Sequence, residues 1–136
     1  MISFHAEDVS FKLSDKIKHK QWLLALAKEE GKKIGELNYV FCSDAYLLEI
    51  NRNYLNHDTY TDIVTFDNSD NANIIEGDIF ISIERIAENA TKFETESSEL
   101  QRVMAHGLLH LCGYKDKAKG DKEQMTSKED YYLGKR

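Results

Sequence analysis

Residues 62–83 constrain the fold most. Asp62–Asp67 reads DIVTFD, a run rich in β-branched residues, and Ile74–Ile83 alternates in polarity around Gly77-Asp78. The stretch between them, Asn68–Asn73, is a cluster of Asn and Asp. Two strand-type runs joined by so short a polar turn read as an antiparallel hairpin. A third run, Ile34–Cys42, places Leu37, Tyr39 and Phe41 at the period of two that a half-buried strand requires. Ile2–His5 is expected to supply a short first strand. The chain contains no proline, so its turns rest on Gly, Asn and Asp.

Helical patterning fills the intervals. Ser14 is expected to cap a helix ending near Gly31, with Ile17, Trp22 or Leu23, Leu24 and Leu26 on its apolar face. Ser43 caps a second, with Leu47, Leu48 and Ile50 inward, followed by a polar loop over Asn51–Tyr60. A third is expected from Ile83 to about Phe93. A fourth starts at Ser97 or Ser98 and runs through Cys112, with Gly113 as its left-handed stop. A fifth covers Glu123–Leu133. The sum is a single α+β domain over residues 1–136, about four strands and five helices. A chain of 136 residues buries roughly two-thirds of its unfolded surface, so it needs neither metal nor disulfide merely to fold.

Composition excludes several classes. No apolar run approaches the roughly 18 residues of a membrane span, so no membrane is expected. The first residues, MISFHAEDVSF, lack the basic start and apolar core of a signal peptide. Two cysteines, Cys42 and Cys112, are too few for a disulfide framework; with the missing leader they point to the cytoplasm. The net charge of −6 argues against a broad nucleic-acid coat but not against a local basic groove. Residues 115–136 do carry a small excess of positive charge, seven basic against five acidic residues.

The chemistry is concentrated in residues 106–116, HGLLHLCGYKD. His106 and His110 stand one helical turn apart on one face, the geometry in which two imidazoles reach a single divalent ion. Gly113 permits a sharp reversal, and Asp116, three residues later, can return to the same ion. Two neutral imidazoles and one carboxylate leave a fourth position for water, the pattern of a catalytic rather than a structural site. Lys115 and Lys117 flank Asp116, so a solvated ion pair is the competing reading for it. Cys112 lies about 240° around the helix from His106 and reads as a small buried hydrophobe, as does Cys42. Tyr114 reads as packing against the turn.

This segment resembles the H-G-x-L-H-L-x-G-Y-D-H signature of the YbeY family of endoribonucleases. Asn51–Phe66 (NRNYLNHDTYTDIVTF) and Gly77-Asp78-Ile79 are similar to two further family segments, and the resemblance covers nearly the whole chain. It implies a central mixed four-stranded sheet and one zinc-type ion held by His106, His110 and Asp116. It also implies cleavage of single-stranded RNA, maturation of ribosomal RNA at the 3′ end of the small-subunit RNA, and ribosome quality control. The ribosome or an associated factor is then an expected partner.

Two positions depart from the family pattern. Asp116 stands where the family has its third histidine, and Lys115 where it has an aspartate. A carboxylate is a harder, charged ligand, which lowers the site's charge and opens a shift of metal preference, for instance toward manganese. Leu55 stands where the family has a basic residue after the loop tyrosine. His57, Arg52 and Lys115 are the candidates to replace it, with His57 favoured as the catalytic residue. Gly107 occupies the position of the general base in His-Glu-x-x-His peptidases and cannot accept a proton, which speaks against a peptide substrate. Asp62 and Asp78 are candidate bases, with capping as the competing role. Lys115, Lys117, Lys119 and Lys122 are candidates to track phosphates. Two alternatives stand beside the nuclease: a metallohydrolase of another substrate class, and a non-catalytic ribosome-associated metal-binding protein.

Overall fold

A computed structural model describes residues 1–56, 61–93 and 98–136. The elements are β1 (Ile2–Glu7), α1 (Lys16–Glu29), β2 (Lys33–Cys42), α2 (Asp44–Leu55), β3 (Ile63–Asp67), β4 (Ile74–Ser82), α3 (Ile83–Phe93), α4 (Glu99–Leu111) and α5 (Lys119–Leu133). The four strands form one mixed sheet in the order β1-β2-β4-β3. β1 and β4 both pair with β2 in parallel. β3 and β4 form the expected antiparallel hairpin, with Thr65 opposite Ile79 and Phe66 opposite Asp78. The parallel pairs need long crossovers, which α1 and the α2–β3 segment supply.

Strand alternation divides the side chains between two faces. Leu37, Tyr39 and Phe41 of β2 and Ile75, Ile79 and Ile81 of β4 join the main core with Trp22, Leu23 and Leu26 of α1, Met104 and Leu108 of α4 and Met125 and Tyr132 of α5. On the other face Cys42 and Val64 form a smaller cluster with Leu47 and Ile50 of α2. The Tyr39 hydroxyl donates to the Met104 carbonyl at 2.8 Å, so a buried phenol finds the partner it needs and ties β2 to α4.

Several boundaries differ from the sequence reading. α1 is capped by Asp15 in a left-handed conformation, with no side-chain cap bond, so Ser14 is not its cap. Ile17 and Leu24, expected inward, are 73% and 48% exposed; the helix turns only Trp22, Leu23, Leu26 and Ala27 into the core. α2 runs five residues into the expected loop because Asn51 is buried and the helix stops only where Asn56 adopts φ 56°, a conformation Asn tolerates. α5 begins at Lys119 rather than Glu123; its first turn is wholly polar and carries no periodic signal.

α4 lies on the sheet through Gly107. A Cβ at this position would stand 2.9 Å from Ile63 Cδ1 and 2.9 Å from Ile79 Cγ2, closer than packed carbon atoms approach. Gly107 is therefore a close-contact residue, and any side chain there would point into the sheet. Gly107→Ala is expected to lower stability by about 1–3 kcal/mol, the range for overpacking a full core, measured by urea unfolding. An unchanged midpoint would show that Ile63 and Ile79 yield freely.

Candidate metal centre

His106 and His110 project from the same face of α4, their rings 4.7 Å apart and nearly perpendicular at 78°. The helix then ends in a Schellman turn. The Tyr114 amide donates to the Leu109 carbonyl at 3.1 Å and the Gly113 amide to the His110 carbonyl at 3.0 Å. Gly113 takes φ 111°, which a side chain would resist. The reversal returns Asp116 to the histidines: its Oδ2 lies 3.1 Å from His106 Nε2 and 3.2 Å from His110 Nε2. The sequence-based expectation of His106, His110 and Asp116 as one constellation matches this arrangement.

The donor set fits a divalent ion. One ligand atom from each of the three residues lies within 4.8 Å of the other two. In four-coordinate zinc, bond lengths of about 2.0–2.1 Å put neighbouring ligand atoms roughly 3.3–3.4 Å apart, and both histidine–aspartate separations are close to that. His106, His110 and Asp116 could therefore hold a metal ion at the cleft that they line.

The cleft has a volume of about 340 Å³ and is walled by Thr61, Asp62, Ile63 and Thr65 on one side and by Glu99, Arg102, Val103 and Glu129 with the three candidate ligands on the other. Glu129 and Arg102 join the site only through the fold. Glu129 Oε2 lies 2.7 Å from His106 Nδ1. A carboxylate can only accept, so Nδ1 carries the proton and Nε2 faces Asp116, the orientation a metal-bound histidine adopts when an outer carboxylate holds it. Arg102, one turn before His106, donates to Glu129 Oε1 at 2.8 Å and also pairs with Asp130. A signal for Glu129 was present: Met125, Glu129 and Tyr132 fall at i, i+4 and i+7, so a carboxylate occupies the buried stripe of α5.

The remaining candidates divide clearly. Asp62 lines the cleft; burial raises its carboxyl pKa above the usual range, only partly offset by its own backbone hydrogen bond and by His106. Asp78 is occupied structurally, accepting from Asn38 at 3.0 Å and Asn68 at 3.2 Å. Leu55 and Arg52 belong to α2, and neither lines the cleft; Arg52 pairs with Glu49 at 3.4 Å. His57 lies outside the described residues. Lys115, Lys117, Lys119 and Lys122 are exposed, and none lines the cleft. Burial, with the charge of Glu30 second, pushes the Cys112 thiol up to about 12, and burial with Asp44 and Asp8 does the same to Cys42. Both are free thiols and neither belongs to the donor cluster.

A mixed sheet packed against a helix that presents two histidines, with a carboxylate returned to them by the following turn at an open cleft, has the makings of a single-metal hydrolase. Comparison with known proteins gives that class a family. The family model described as Endoribonuclease YbeY matches residues 1–136. The chain is 54% identical over 136 residues to the protein named Endoribonuclease YbeY from Cytophaga hutchinsonii, covering 99% of this chain and 95% of that one. It is 51% identical over 134 residues to the protein of the same name from Flavobacterium psychrophilum, covering 98% and 94%. A solution structure of a Thermotoga maritima protein superposes with a TM-score of 0.68 at 26% identity, covering 99% of this chain and 91% of that one. The chain belongs to the endoribonuclease YbeY family, enzymes that break phosphodiester bonds within RNA.

Protonation opposes any ion at this site. Burial lowers the His106 pKa, but the hydrogen bond to Glu129 and the charges of Glu129, Asp116 and Asp62 outweigh it, so it lies above the ordinary imidazole value. Burial raises the Asp116 pKa, but the two histidines outweigh it and hold the carboxyl below the usual range. In the metal-free protein the His106 contribution to stability is thus complete below the ordinary imidazole pKa and is lost as pH rises through the raised folded value. The Asp116 contribution is present above the ordinary carboxylate pKa and is lost as pH falls through the lowered folded value. NMR titration of the metal-free protein is expected to find His106 protonated to higher pH than a free histidine, and Glu129→Gln to bring that midpoint down. An unmoved midpoint would mean that Glu129 does not act on the ring.

Proposed function

We propose that the chain is a metal-dependent endoribonuclease of single-stranded ribosomal RNA, with His106, His110 and Asp116 holding one zinc ion. The observation that carries this reading is the convergence of three ligand atoms within 4.8 Å at an open cleft in a chain that matches the endoribonuclease family over its whole length. When bound, such an ion polarises a phosphoryl oxygen and makes a water acidic enough to attack near neutral pH. The protein's own residues do the rest. Glu129 and Arg102 keep His106 Nε2 turned to the centre. Asp62, a cleft carboxyl whose pKa is raised by burial, is suited to hold and return a proton during cleavage.

The cleft itself is rich in carboxylates, so the RNA backbone needs cations from its rim. The exposed Lys115, Lys117, Lys119 and Lys122 suit that task, because phosphate contacts are mainly electrostatic and do not need a buried site. His57 is proposed as a further phosphate-facing residue in the role of the family's basic residue, for which Leu55 has no charge. The substrate is read as the 3′ end of small-subunit ribosomal RNA, with a further role in ribosome quality control. The partners are the ribosome or an associated factor, and the location is the cytoplasm. No helix among the described residues is long and apolar enough to cross a membrane.

The peptidase alternative weakens further, because position 107 is packed against Ile63 and Ile79 and has no room for a carboxylate side chain. Cleavage of a labelled single-stranded ribosomal RNA fragment by the wild type and by His110→Ala, purified identically, tests the reading. The wild type is expected to cut, and the variant to lose at least about 100-fold in rate, the equivalent of roughly 2.7 kcal/mol. Equal cutting by both would assign the activity to another site or to a contaminant. Metal binding without turnover would favour the non-catalytic ribosome-associated alternative.

A further inference from the structure

Asp116 sits in a segment, residues 115–118, that lies outside helix and strand. Among the described residues its carboxylate has polar contacts only with His106 and His110. Its place therefore depends on what holds the two ends of that segment: Tyr114, which closes the Schellman turn, and α5, which begins at Lys119.

Both ends lead to one side chain. Glu30, at the end of α1, has a side chain only 9% exposed. It accepts the Tyr114 hydroxyl at 2.7 Å, the Tyr132 hydroxyl, and Lys128 Nζ at 3.2 Å. Tyr132 and Lys128 belong to α5. Lys128 Nζ also stands 5.5 Å from the centre of the Tyr114 ring, within cation–π range. A carboxylate removed from water is costly unless its oxygens are bonded, and here three donors from the two flanks of the segment meet it. Core packing explains the Tyr114 ring, but it gives no reason for a hydroxyl directed at a buried carboxylate.

We propose that Glu30 is a positioning residue for the metal centre: by gripping the Tyr114 hydroxyl and α5 together, it fixes the span of residues 115–118 and so delivers Asp116 to the two histidines. It touches neither ion nor substrate. The inference rests on the reading of Asp116 as a ligand.

The test compares wild type with Tyr114→Phe, which keeps the ring and removes only the grip, and with Glu30→Gln. Zinc affinity is measured by competition with a chromophoric chelator, after urea unfolding of the metal-free proteins has shown each to be folded in the assay. Backbone amide exchange of the metal-free proteins is followed in parallel. Tyr114→Phe is expected to weaken zinc binding about tenfold, the lower end of outer-contact effects, and to speed exchange around residues 114–118 while leaving the turns of α4 that bear His106 and His110 protected. Glu30→Gln is expected to act in the same direction. Wild-type affinity in a folded Tyr114→Phe would overturn the proposal alone, as would faster exchange spread evenly over α4 and α5. A wild type that binds no zinc would overturn the metal reading and the proposal with it.

Discussion

The seating of α4 against β3 and β4 is the contact on which the site depends. At Gly107 the helix approaches so closely that even a methyl group would meet Ile63 and Ile79. This close approach has two consequences on opposite sides of one helical turn. It buries Leu108, Leu109 and Met104 completely, and it sets His106 and His110 at the lip of a cleft whose far wall is β3 itself. A larger residue would lift the helix from the strands and widen that cleft. Gly107 is thus explained by packing.

Charge at the site is arranged in layers. The three candidate ligands carry one formal negative charge, and Glu129 adds a second behind His106. Arg102 answers it from the adjacent turn, so the guanidinium is engaged in holding Glu129 and Asp130 rather than in facing a substrate. Lys115, Lys117, Lys119 and Lys122, exposed and close to Asp116 in sequence, are the cations proposed to meet phosphates. An acidic protein can act on RNA in this way because attraction is needed only along the path of a few nucleotides, within about a Debye length of 8–10 Å.

The fold was legible where periodicity was strong. The β3–β4 hairpin and the alternation of Leu37, Tyr39 and Phe41 follow from short-range pattern alone, as does the stop at Gly113. The first turn of α5, Lys119–Lys122, is not legible in sequence because it offers no apolar signal, and Ile17 lies exposed because propensity and hydrophobicity do not say which face of α1 meets the core. The candidate ligands were readable because all three lie within 11 residues on a helix and its turn. Glu129 and Glu30 were not, because each acts across a tertiary contact: Glu129 reaches back 23 residues to His106, and Glu30 reaches forward 84 to Tyr114. A buried carboxylate on a helix is visible in sequence only after its apolar neighbours have been assigned to a face.

The helix–turn–helix of α4 and α5 has a consequence for how an ion would act on the folding equilibrium. Its donors are close in sequence, so bringing them together closes only a short loop and costs little chain entropy. Nothing in that loop closure requires the sheet, so the unfolded chain keeps the same three donors within 11 residues. A metal that also binds the unfolded chain stabilises the native state only by the difference between the two affinities. What raises that difference is the part of the site drawn from far away: the strands under Gly107 and the end of α1 behind Tyr114. An ion held there would therefore stabilise the fold only by as much as the remote two-thirds of the chain improves a site whose donors all lie in the last third.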